Sequence, residues 1–268
     1  MKAPLACFSF LAVALAAPAA LVTRTINYEQ GGVKLAGYLV YDEAVTAKGK
    51  VPGVLVVPEW WGLNDYAKGR AEQLAKLGYV AFAVDMYGGG LSTTDAKQAS
   101  DLAGQFYSTP RKADRVERAQ AGLNQLLQTG LVDPARIAAI GYCFGGSVVQ
   151  ALAYSGAPLA GIVSFHGGLI RVPSDAAEKN KAKILICTGA IDPSVPPSAV
   201  AAFTTAMNEG KFDYQFISYS GALHAFTNPD ADRAAADGVK GVAYNATADH
   251  RSWAAMQTFF SEIFTEKK

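Results

Sequence analysis

Apolar residues come in short, near-continuous runs over Val51–Val57 and 79–84, without the alternation of a half-exposed strand. Runs of that length suit strands covered on both faces, as in a parallel sheet. Between them Ala67, Ala71, Leu74 and Leu77 recur at helical spacing. Ahead of them, residues 24–29 and 33–41 read as two strands joined at Gly31-Gly32, a turn that predicts an antiparallel hairpin. A longer excursion over 88–107 is glycine-rich and then weakly helical. Thr109-Pro110 predicts a helix start, with a core face of Val116, Ala119, Leu123, Leu126 and Leu127.

Beyond Asp133-Pro134, read as a turn, residues 137–142 predict a strand followed at once by a helix over 144–154. Three more strands are expected at 161–165, 184–188 and 214–218. Trp253, Met256, Phe260 and Ile263, at steps of three and four, mark a closing helix. Strands alternating with helices imply an α/β fold: a mostly parallel sheet with helices on both faces and an N-terminal antiparallel hairpin. In such sheets ligands and chemistry gather outside the carboxyl ends of the strands.

The first residues follow a different logic. Lys2 is the sole charge before Arg24, residues 5–17 are almost wholly apolar, and Ala17-Pro18-Ala19 offers small residues for a peptidase. The run is too short to span a bilayer, and residues 1–19 read as a secretory signal peptide. The expected mature chain is one domain over 20–268, exported to the periplasm or beyond, with no membrane association after cleavage. The whole sequence has 268 residues, 50% hydrophobic and 18% charged, which excludes a disordered chain. A formal charge of +1 leaves no electrostatic footprint for nucleic acid. A monomer acting on a small molecule is expected. Without the signal only Cys143 and Cys187 remain, too few for a disulfide framework.

Cys143 stands in Gly141-Tyr142-Cys143-Phe144-Gly145-Gly146, between a buried strand and a helix. The form Gly-x-nucleophile-x-Gly needs its glycines because side chains on either side would collide with backbone in so tight a turn. The turn lifts the sulfur onto the sheet rim at a helix N-terminus and aims the Phe144 N–H at an incoming oxyanion. A dinucleotide-binding reading fails, because these glycines do not form Gly-x-Gly-x-x-Gly and the next strand, ending at His166, carries no acid for a ribose. A redox reading lacks a Cys-x-x-Cys pair. Cys187, inside a predicted strand, reads as an inert core residue.

A thiol nucleophile needs a base. His250 falls on the solvated side of the closing helix, and no acid-bearing strand separates His166 from Cys143. His224, in the loop after the last strand, fits both the chain order and the correct sheet end. Asp192, just past the strand at 184–188, is placed to hold the imidazole's tautomer. Asp85, the rival strand-end acid, precedes Cys143 and reads as a loop-fixing residue.

Together the elbow, Thr188-Gly189-Ala190-Ile191-Asp192-Pro193 and the His224 loop resemble the dienelactone hydrolase family, within the α/β-hydrolase fold. Another matching segment is Pro58-Glu59-Trp60-Trp61-Gly62. The resemblance implies a Cys-Asp-His triad, a Glu59 that governs when the thiolate forms, and a Trp60 N–H that completes the oxyanion site. It also implies arginines where this chain has Gly89 and Asn228, so a carboxylate clamp is missing. Trp61, Tyr87, Phe226 and Asn228 are expected around a pocket for a neutral ester or lactone, with Trp60 adding to its apolar wall. No cofactor or metal is expected. The resulting expectation is a hydrolase of small esters or lactones working through a thioester. The alternative is a non-catalytic small-molecule-binding protein on the same fold.

Overall fold

The computed structural model describes residues 20–108, 111 and 113–265. The expected signal peptide lies outside these residues, as do Thr109 and Pro110. Eight strands run in the order β1 Leu21–Gln30, β2 Val33–Asp42, β3 Val51–Val57, β4 Val80–Ala83, β5 Val132–Tyr142, β6 Gly161–Phe165, β7 Lys183–Gly189 and β8 Tyr214–Tyr219. The helices are α1 Glu43–Thr46, α2 Asp65–Lys76, α3 Ala96–Gly104, α4 Asp114–Gln128, α5 Phe144–Tyr154, α6 Ala176–Lys179, α7 Pro197–Glu209, α8 Ala231–Ala236 and α9 Ala246–Thr265.

All eight strands share one sheet, ordered β1-β2-β4-β3-β5-β6-β7-β8. β1 and β2 form the expected hairpin, closing at Gln30↔Val33 across two glycines with φ 57° and 75°. That left-handed pair is what a two-residue turn between twisted strands requires. β2 runs antiparallel to β4, and every later pair is parallel.

Alternation along the strands splits the core in two. Leu55, Val57, Phe82, Ile162 and Ile186 point to one face, under Leu123 and Leu126 of α4, Val148 and Leu152 of α5, and Phe203 of α7. Val54, Val56, Ala81, Val163 and Leu185 point to the other, under Ala71 and Leu74 of α2 and Met256, Phe260 and Ile263 of α9. Strands covered on both faces need no polar face, which is why their sequences read as unbroken apolar runs.

Three details depart from expectation. Leu77 sits one residue beyond α2 and is exposed. α4 begins at Asp114, and its cap Ala113 makes no side-chain bond. β5 extends back to Val132, because the Asp133-Pro134 turn is a bulge within the strand. From Val51↔Val132 to Gly53↔Ile137 the partner strand advances further than β3 does. Asp133 closes that bulge, accepting from Ala135 N–H at 3.0 Å and Arg136 Nε at 2.8 Å.

Candidate active site

Six chemistry-bearing side chains follow the carboxyl ends of consecutive parallel strands: Glu59 after β3, Asp85 after β4, Cys143 after β5, His166 after β6, Asp192 after β7 and His224 after β8. The turn at Cys143 is as tight as its glycines imply. A Cβ on Gly141 would lie 2.1 Å from the Gly145 carbonyl oxygen, and one on Gly145 would lie 2.2 Å from that of Val57. Cys143 itself takes φ 52° and ψ −114°, a strained conformation for a residue with a Cβ. Its peptide N–H is shared between Phe165 O at 3.0 Å and His166 Nδ1 at 3.1 Å.

The turn brings Cys143 Sγ to 3.0 Å from His224 Nε2, and His224 Nδ1 lies 2.8 Å from Asp192 Oδ2. Ser194, which the sequence reading missed, donates its hydroxyl to Asp192 Oδ1 at 2.5 Å and approaches His224 Nδ1 at 3.1 Å. Burial works against the charged forms of both His224 and Asp192. It is outweighed at His224 by the adjoining Cys143 and by Asp192, which hold the imidazole well above its ordinary pKa. At Asp192 the bonds from His224 and Ser194 prevail and hold the carboxyl below its usual value. The loop carrying His224 is laced to the 239–243 segment: His224 N–H donates to Gly241 O at 3.1 Å, and Ala243 N–H to His224 O at 3.2 Å.

Phe144 opens α5, and Trp60 follows Glu59 in the turn after β3. Among the described residues neither backbone N–H has a hydrogen-bond partner. Tyr87 donates its hydroxyl to the Trp60 carbonyl at 2.8 Å and stacks on Phe144 at 6.3 Å, bracing both segments.

Glu59 is buried, with Oε2 accepting from Asn228 Nδ2 at 2.6 Å and Oε1 without a hydrogen bond, 4.0 Å from His166 Nε2. Burial pushes its pKa up to about 7, against the pull of Asn228, His224 and Arg70. Its carboxyl therefore answers to Asn228, and the Cys143 sulfur faces His224.

A cavity of about 210 Å³ opens over the sulfur, lined by Glu59, Trp60, Trp61, Asn228 and, from the far wall, Ala231, Ala234 and Val239–Val242. Trp61 and Asn228 thus stand where expected, whereas two expected lining residues do not line it. Tyr87 supports the Trp60 turn instead. Phe226 is fully buried behind the wall, with its ring 5.2 Å from that of His166 and 5.5 Å from that of Tyr219. Apolar character in that loop reflects the core beneath it. Lys240, the one lysine or arginine of the lining, carried no motif that would reveal it. Asp85 holds the loop after β4, accepting from Tyr87, Gly88, Gly90 and Ala36 N–H groups at 2.7–2.9 Å. His250 is exposed on α9. Among the described residues no three His, Cys, Asp or Glu side chains are grouped to hold a metal, and no helix is long and apolar enough to cross a membrane.

The sheet order and the helices on its two faces are those of the α/β-hydrolases. Within that class the dienelactone hydrolase family profile matches residues 35–264, and the chain belongs to this family of hydrolases. A dienelactone hydrolase-like promiscuous phosphotriesterase, P91, from metagenomic libraries is 40% identical, with TM-score 0.86 over 91% of this chain and 99% of that one. A second solved structure, m3DLH, is likewise 40% identical, with TM-score 0.85 and the same coverage. An inferred carboxymethylenebutenolidase of Aquifex aeolicus (strain VF5) is 28% identical, over 76% of this chain and 87% of that protein.

Proposed function

We propose that this hydrolase cleaves carboxylic esters or lactones of small molecules through Cys143, His224 and Asp192. The observation that carries the reading is the continuous Sγ–Nε2 and Nδ1–Oδ2 chain, at 3.0 and 2.8 Å, beneath a cavity of about 210 Å³. His224 takes the Cys143 proton as the sulfur attacks the carbonyl carbon. The oxyanion is received by the Phe144 and Trp60 N–H groups, which have no other partner to surrender. Collapse of the tetrahedral intermediate expels the alkoxide, which leaves as the alcohol with the proton from His224. Water, deprotonated by His224, then attacks the thioester, releasing the acid and restoring the thiol. Asp192 fixes the imidazole tautomer and stabilises its cation throughout.

Glu59 tunes this chemistry through charge. As a carboxylate beside the same cavity it disfavours a second anion on Cys143, and as an acid it does not. The mostly apolar lining suits a neutral acyl or alkoxy group, with Lys240 as the one lysine or arginine in the wall. The phosphotriesterase named at 40% identity supports a second substrate type, a neutral phosphotriester attacked at phosphorus by the same sulfur as one P–O ester bond breaks and its alcohol leaves with the proton from His224. A non-catalytic binder would have no use for two unpartnered N–H groups beside an aligned base. The N-terminal apolar run supports export, which cell fractionation would check.

Cys143→Ala tests the reading. Hydrolysis of p-nitrophenyl acetate should fall by about three orders of magnitude or more, and the acetyl-enzyme seen by intact mass after rapid quench should vanish. Turnover at the wild-type rate by a folded Cys143→Ala protein overturns it.

A further inference from the structure

We propose that His166 and Thr227 are positioning residues: a buried strut that sets the separation between Cys143 and His224. The inference rests on the roles given to those two residues above and goes beyond them. His166 is fully buried at the end of β6 with φ 40°, its own N–H held by Cys187 O at 2.8 Å. Its Nδ1 accepts from the Cys143 peptide N–H at 3.1 Å, and its Nε2 lies 2.7 Å from Thr227 Oγ1. A nitrogen that accepts carries no proton, so the ring proton sits on Nε2 and is donated to Thr227.

Thr227 belongs to the same loop as His224, and two further bonds fix it. Arg70 Nη2 donates to its carbonyl at 2.6 Å, and the Tyr66 hydroxyl meets its Oγ1 at 2.6 Å. One imidazole therefore joins the backbone of the nucleophile to the loop of the base, one ring nitrogen for each. It also stands edge-on to the His224 ring at 5.4 Å, which limits how far that ring can retreat.

Only a neutral imidazole serves, since a cation would turn an N–H toward the Cys143 N–H. Burial, reinforced by Arg70 and by the charge His224 takes up, holds His166 well below its ordinary pKa and keeps it neutral even with Glu59 Oε1 4.0 Å from its Nε2. The catalytic scheme gives this ring no proton to move. Its two specific bonds exceed what packing against Phe226 alone would ask.

Thr227→Val keeps the side-chain shape and removes the acceptor, while Thr227→Ser keeps the acceptor. Two quantities should be read on each folded protein: kcat and KM for p-nitrophenyl acetate, and the rate of Cys143 alkylation by iodoacetamide. Thr227→Val should lower kcat about tenfold, as misplacement of reacting atoms does, with KM within about twofold and alkylation slowed in step. Thr227→Ser should restore both. His166→Asn, whose amide oxygen still reaches Cys143 N–H but not Thr227, should reproduce Thr227→Val without adding to it in the double variant. Wild-type kcat and alkylation in Thr227→Val overturn the strut, as does a loss that Thr227→Ser shares. Alkylation does not depend on ester turnover, so the strut and the hydrolase mechanism fail separately.

Discussion

Glu59 carries the least settled charge in the site. Its carboxyl is buried, one oxygen is bonded to Asn228 and the other, 4.0 Å from the neutral His166 ring, has no hydrogen bond, so ionisation is paid for in desolvation. A carboxyl raised from the ordinary 4.5 to about 7 binds its proton more tightly in the folded state. Stability from this group is therefore full below the unfolded value and declines as pH rises through the folded one. The decline amounts to on the order of 3 kcal/mol. Glu59→Gln abolishes the titration while keeping an acceptor for Asn228. Relative to wild type, the variant should become more stable by that amount between pH 4 and about 8.5, measured as the difference in urea unfolding free energy at each pH. A difference that stays constant across the range would show that Glu59 does not titrate there.

At the scale of elements, the elbow joining β5 to α5 is held open by absent side chains. Every residue of α5 is buried, so the helix has no freedom to back away from the sheet. A methyl on Gly145 would enter the Val57 and Pro58 carbonyls at 2.2 and 2.6 Å. Val57 pairs directly with Gly141, so neither backbone can yield alone. At Gly168 the same methyl meets only Ser147 Oγ, at 3.5 Å, an ordinary contact. Gly145→Ala should cost about 3 kcal/mol of stability or more and, where folded protein is recovered, most of the esterase activity. Gly168→Ala should change unfolding midpoint and kcat little, and equal losses in the two would refute the steric account.

This element was legible because its constraint is local: glycine spacing alone encodes the collision. The buried strands were legible for the same reason, since a strand covered on both faces writes its burial into consecutive residues. Boundaries governed by particular side chains were less so. The Asp133 bulge looked like a strand start, because a turn inside a strand and a turn before one share the same residues.

Across the whole molecule, chain order and strand ends placed Cys143, Asp192 and His224 together before any coordinates. The components that went unread are those whose partners lie far away in sequence and carry no motif. His166 meets Thr227 across β6 and the last loop, Asn228 turned out to serve Glu59, and the 239–242 wall has no pattern at all. The clearest such assembly is Arg70, nearly buried on α2. Its Nη2 donates to Thr227 O and to Asp249 Oδ1 of α9, both at 2.6 Å, and its guanidinium lies over the Tyr66, Tyr142 and Trp253 rings at 5.3–5.7 Å. One cation thereby ties two helices to the loop that carries the base. Removing it alone leaves the mostly buried Asp249 without its cation and with the Tyr244 hydroxyl, at 3.3 Å, as its side-chain partner, so Arg70→Met should lose about 3 kcal/mol in urea unfolding. Replacing both charges removes the stranded anion too, and Arg70→Met/Asp249→Leu should recover about 1 kcal/mol or more of that loss. The Thr227 carbonyl stays unclamped in both variants, so kcat should remain depressed in the double even as stability returns. A double variant that regains stability and full kcat together would sever the base loop's alignment from this latch. One less stable than Arg70→Met would show that the Tyr244 hydroxyl satisfies Asp249 without Arg70.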